Sequence, residues 1–170
     1  MTALAHAAAD DVRAIVSAFT EGERPLRRGE VLATAERLGW TVRSAQERGI
    51  LFMTGLPHRR ARADCLLLDG ELGQLTVGLS DRADDPAQQA RLRAVEQEVL
   101  AVLAELLGGP GDRSSGRSRT SWDLGSGARV AVENVGDRVI LVVLGMHVAD
   151  LERAEARLGV DPDRDVGRDR

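Results

Sequence analysis

The stretch Trp122–Leu144 constrains the fold of this chain more than any other part of it. It reads Trp-Asp-Leu-Gly-Ser-Gly-Ala-Arg-Val-Ala-Val-Glu-Asn-Val-Gly-Asp-Arg-Val-Ile-Leu-Val-Val-Leu, three short runs separated by Gly125–Gly127 and by Gly136-Asp137. Branched apolar residues in the runs and turn residues between them are the pattern of an antiparallel meander. Strand alternation turns Trp122, Leu124, Val130 and Val132 one way and Arg129 and Glu133 the other. The last run, Val139–Leu144, is apolar at every position. It belongs in a sheet interior, or under cover on both faces, and not at a solvent-washed edge.

The rest of the chain supplies what covers that sheet. Residues 3–20 carry Val12, Ile15, Val16 and Phe19 at helical spacing. A second, shorter helix runs from Arg28 to Leu38; Gly39 sits where a left-handed cap is wanted, and Trp40 follows as a core plug. From Thr41 to Ser80 the period becomes strand-like, with runs at Ile50–Met53, Ala63–Leu68 and Gln74–Leu79 and an Asp69-Gly70 hairpin between the last two. Asp85-Pro86-Ala87-Gln88 opens the strongest helix, with Asp85 as cap, Pro86 in the first turn and Gln88 completing a capping box. Its stripe is Leu92, Val95, Val99, Val102, Leu103 and Leu106, closed by Gly108-Gly109-Pro110. Residues 109–118 read as a flexible loop. Val148–Leu158 reads as a last helix with Leu151 and Leu158 turned inward, and 161–170 as a disordered tail. The expectation is a two-layer α+β domain over residues 1–160, an antiparallel sheet of five to six strands packed by a long helix, in the order α-α-β-β-β-α-β-β-β-α.

Composition excludes several roles. Val139–Leu144 is as long as any apolar run and far short of a bilayer span. The first residues lack a basic segment and soon reach Asp10-Asp11, unlike a signal peptide, so a cytoplasmic location is expected. The lone Cys65 fits a reducing compartment. A net charge of −4 and an isoelectric point near 5.4 argue against a general nucleic-acid binder. Phe19, Trp40, Phe52 and Trp122 are the whole aromatic set and form no base-stacking series. All 23 basic residues are arginine, which fits a GC-rich coding sequence better than a demand for guanidinium groups.

Few residues suggest chemistry. Cys65 lies mid-strand, with His58 seven residues upstream beyond a turn, so a thiol–imidazole pair across a loop is the one candidate nucleophile. No third member or oxyanion hole accompanies it, and a buried structural cysteine explains the same residue. His6, His58 and His147 are isolated from each other, which is not the paired spacing of a zinc site. The pairs Asp10-Asp11 and Asp84-Asp85 sit at helix starts, where carboxylates serve as caps. No cofactor is expected. The basic segment His58-Arg59-Arg60-Ala61-Arg62 is the one local concentration of charge, and as a site it would meet an acidic partner protein, since arginine forks pair well with carboxylates. Arg24, Arg27 and Arg28 form a smaller second cluster.

Ala35-Glu36-Arg37-Leu38-Gly39-Trp40, Leu75-Thr76-Val77-Gly78-Leu79-Ser80-Asp81, and Trp122-Asp-Leu followed by Val130-Ala-Val and Val139-Ile-Leu-Val-Val together resemble an actinobacterial family of small domains of unknown function. Proteins of this build are similar to immunity proteins carried beside polymorphic toxins and to secretion chaperones. The resemblance implies a protein-binding role and supplies no catalytic residues. The expected function is a non-enzymatic, cytoplasmic, protein-binding domain acting on the product of an adjacent gene, through His58, Arg59, Arg60 and Arg62. A twofold homodimer is a further arrangement open to this build. The alternative is an enzyme or small-molecule binder whose site is assembled around Cys65 and His58.

Overall fold

A computed structural model describes residues 4–22, 24–114 and 118–160. In chain order the elements are α1 (Ala9–Thr20), α2 (Arg28–Arg37), β1 (Thr41–Ala45), β2 (Gly49–Met53), β3 (Arg62–Leu68), β4 (Glu71–Gly78), α3 (Pro86–Leu107), β5 (Asp112–Arg113), β6 (Arg119–Asp123), β7 (Arg129–Asn134), β8 (Val139–Leu144) and α4 (Met146–Arg157). The strands form a single antiparallel sheet of eight in the order β1-β2-β3-β4-β8-β7-β6-β5. Two four-stranded meanders thus lie side by side, joined where β4 pairs with β8.

The α+β class and the antiparallel sheet agree with the sequence, but the strand count and order differ. The two strands outside the expected set are the sheet edges. Every residue of β1 is exposed, so neither face needs apolar residues and no alternation marks the strand. β5 is two residues long, inside the segment expected as a flexible loop, and part of that loop (115–117) lies outside the described residues. The expected tail, 161–170, lies outside them as well. α1 begins at Ala9 and not at residue 3, because the preceding residues pair as extended backbone with the end of β4: Ala7 N–H donates to Leu79 O (2.7 Å) and Asp81 N–H to Ala5 O (2.8 Å).

α1, α2 and α3 cover one face, called here the inner face. Val12, Ile15, Val16, Val31, Leu92 and Leu103 meet Phe52, Cys65, Leu75, Val77, Leu141, Val143, Val130 and Trp122 in one apolar core. Trp40 is buried between Phe19 (ring centroids 5.5 Å apart) and Phe52 (5.8 Å), as its position after the left-handed Gly39 predicts. Asp85 caps α3, its carboxylate accepting from Gln88 N–H at 2.8 Å. The Gln88 side chain reaches back to Asp84 N–H and not to Asp85, so the capping box is shifted by one residue. Asp69 and Gly70, both at positive φ, make the β3–β4 hairpin.

The outer face is covered only in part. α4 lies there over the β8 side, where Ala149 packs with Ala131, Val142 and Leu144. Leu151 and Leu158, expected to point inward, are 58% and 80% exposed. Ala149 is the only buried residue of α4, so polar contacts hold the helix. Glu152 accepts from Arg119 (3.1 and 3.2 Å) and Arg129 (3.0 Å); Arg153 donates to Asp123 (2.6 Å) and to Gly127 O (2.7 Å).

The turn into α4 passes tightly over β4. Gly145 N–H donates to Gly73 O (2.9 Å), and a Cβ at Gly145 would overlap the Leu72 carbonyl oxygen. Gly145→Ala is therefore expected to cost about 2 kcal/mol in urea unfolding, the scale of an overpacked site.

Candidate functional site

The basic segment between β2 and β3 folds as a loop whose backbone is tied down while its guanidinium groups stay outside. The His58 ring donates from Nε2 to Gly78 O (3.0 Å), and Arg59 N–H donates to Asp81 Oδ1 (2.8 Å). His58 is half-buried and its Nδ1 is enclosed with no hydrogen-bond partner. Burial holds the imidazole below its ordinary pKa, opposed by the Gly78 carbonyl and the Asp81 carboxylate. His58 is thus a neutral clip between loop and sheet.

Strand alternation then sorts the side chains of β3. Ala63, Cys65 and Leu67 enter the core, so Arg62, Asp64 and Leu66 stand on the outer face. There Arg60 and Arg62 meet two arginines far away in sequence, Arg82 from the β4–α3 connection and Arg138 from the β7–β8 turn. With Asp64, Thr76, Ser80, Val135 and Ile140 they line a cleft of about 180 Å³. Asp137 pairs with Arg82 and lies 3.9 Å from Arg138. Among the described residues no carboxylate pairs with Arg60 or Arg62. Ser80 is no nucleophile: its hydroxyl donates to Asp81 O (2.9 Å) and accepts from Val139 N–H (3.1 Å), locking β4 to β8 at the rim. Arg59 instead turns to a neighbouring cavity of about 370 Å³, shared with Leu4, Asp81, Asp84 and Gln88. Arg60 and Arg82 line both.

The structure thus separates the residues of the basic segment. Arg60 and Arg62 stand together, Arg59 beside them and His58 beneath. Arg82 and Arg138 could not be found from the sequence, because each lies alone beside an aspartate. Arg24 and Arg28 do not join this surface: Arg24 is taken up by Glu30 (2.8 Å) and Arg28 by the carbonyls of Gln46 (2.7 Å) and Glu47 (3.2 Å).

Cys65 and His58 are not brought together. Cys65 faces the core opposite Ile50 and Leu75, 3% exposed, and burial pushes its thiol up to about 12. His58 is clipped to Gly78, three residues along β4 from Leu75, or roughly 10 Å at strand rise. A buried carboxylate, Glu96 on α3, is also accounted for: Ser118 Oγ and Asn134 Nδ2 both donate to it at 3.0 Å. Among the described residues no group of three or more His, Cys, Asp or Glu could hold a metal ion. No helix described is long and apolar enough to cross a membrane.

Residues 10–145 match the model of a family of unknown function, DUF6301. The match ends one residue before α4. No curated protein and no solved structure matches the chain.

Two outcomes follow from these environments. Native Cys65 is expected to react with Ellman's reagent at least about a hundredfold more slowly than in urea, since the thiolate is the reactive form. His58 has a depressed folded pKa, so its contribution to stability is complete above its unfolded value of about 6.5 and falls as pH drops through the folded value. His58→Gln should flatten that part of the stability–pH curve, measured by denaturation between about pH 7 and 5.

Proposed function

The chain belongs to the DUF6301 family, whose function is unknown, and from its own surface we propose that it is a non-enzymatic domain that binds another protein. The observation that carries this reading is the outer face of β2 and β3, which α4 leaves uncovered. Leu66 is 43% and Met53 36% exposed there, beside the half-buried Leu51 and Ile140. The arginine cleft borders this surface. Arg60 and Arg62 stand out from a chain of net charge −4, paired with no carboxylate among the described residues. A partner that offers apolar side chains and acidic groups together fits both parts.

The expected partner is the product of an adjacent gene, with the chain acting in the cytoplasm as an immunity factor or a secretion chaperone. The thiol–imidazole alternative has no geometric support, since Cys65 is buried in the core and His58 is committed to Gly78.

Co-expression with the products of the flanking genes, followed by size exclusion, tests the reading. A stoichiometric complex is expected with one of them. The double variant R60E/R62E should weaken it by at least about tenfold, and the wild-type complex should weaken as salt rises. Failure of every flanking product to form a complex overturns the proposal. A complex insensitive to both the charge reversal and salt would move the interface away from the cleft.

A further inference from the structure

The palindromic strand order carries an internal twofold relation. A twofold axis through the Thr76–Val142 pair exchanges β4 with β8. Asp64 lies opposite Thr76 and Ala131 opposite Val142, so Asp64 corresponds to Ala131. Two residues earlier on each strand, Arg62 corresponds to Arg129. Leu51, opposite Asp64, corresponds to Ser121, opposite Ala131. The next residues are Phe52 and Trp122, both large aromatic side chains of the core, which supports the alignment.

The two halves of the outer face differ in one respect above all. On the β8 side α4 lies across the sheet, and Arg129 is held by Glu152 of that helix and by Asp123. On the β4 side the chain turns after Ser80 into α3, which packs on the inner face, so no helix among the described residues covers the matching surface. Among the described residues Arg62 pairs with no carboxylate there, although Asp64 lines the same cleft. Towards the edge the open half is the more apolar, with Leu51 for Ser121, Met53 for Asp123 and Leu66 for Glu133, whereas Asp64 and Thr76 stand where Ala131 and Val142 lie under α4.

Resting on the protein-binding reading, we propose that this open half of the outer face seats an amphipathic helix of the partner, whose carboxylate meets Arg62 as Glu152 of α4 meets Arg129. The helix would be unlike α4 in one way. α4 buries only Ala149, whereas the seated helix would set larger apolar side chains over Leu51, Met53 and Leu66, spaced i, i+3 or i+4, and i+7 on one stripe. Asp64, also on this surface, would face a basic or neutral position. The four arginines of the cleft then lie at one end of the seat, where an acidic helix terminus or flank is best accommodated.

Three synthetic peptides of about 20 residues, long enough for several helical turns, provide the test. The first carries leucines on one helical stripe with glutamates flanking it. The second has the same composition with two internal prolines, and the third has every glutamate replaced by glutamine. Binding is followed by amide shifts of the full chain and by circular dichroism of the mixture. The first peptide should shift residues around Leu51, Arg62–Leu66 and Thr76 and gain helicity on binding. The other two, and the first against Arg62→Gln or Arg62→Glu protein, should bind at least tenfold more weakly. Retained folding of both variants is checked by their thermal unfolding. The proposal fails if the helical peptide leaves this face unperturbed, or if the proline-containing peptide binds as well. If a flanking product forms a complex while the helical peptide fails, the protein-binding reading stands and only the helical mode falls.

Discussion

The pairing of β4 with β8 is the contact on which the rest of this structure depends. Five residue pairs, from Gln74–Leu144 to Gly78–Ile140, join two meanders that would otherwise be separate four-stranded ribbons. Each ribbon alone would offer water one apolar face, and joined they present a surface wide enough for α1, α2 and α3. Strand β8 can take the central place because it is apolar at every position and buried or half-buried throughout. The rim of the same pairing is closed by Ser80, whose hydroxyl bonds across to Val139, and by Leu79 N–H to Val139 O (3.0 Å). That closure draws Arg82 and Arg138 towards Arg60 and Arg62. The cleft is thus a consequence of how the two meanders join.

Much of this was legible in the sequence wherever a residue had to choose between core and solvent. Trp122, Val130 and Val132 point inward opposite Arg129 and Glu133, Gly39 and Trp40 end α2 as their types demand, and Asp85 caps α3. The chain was silent where that choice was absent. β1 is exposed on both sides and so carries no period, and β5 is too short to have one. α4 misled for a related reason. Its leucines imply a buried stripe, but the helix is fastened by Glu152 and Arg153, so Leu151 and Leu158 remain outside. The surface cleft was half legible: adjacent arginines in one loop are visible in sequence, while Arg82 and Arg138 join them only through the β4–β8 contact.

The distribution of arginine follows from the same geometry. A composition with arginine as its sole cation says nothing about which guanidinium has a task. Position in the sheet separates them. Arg129 donates to Asp123 and Glu152 together, which a planar fork with five donors manages and a single ammonium group does less well. That double grip fixes α4 to a sheet against which it buries almost nothing apolar. Arg62 has the same fork at the twofold-related position, with no helix among the described residues above it to supply the carboxylate. The difference between the two arginines lies in topology, since after β8 the chain continues over the outer face, whereas after β4 it passes to the inner one. One half of the outer face is thereby completed within the chain. The other is left, among the described residues, as an apolar and cationic surface, the proposed seat of a partner's helix.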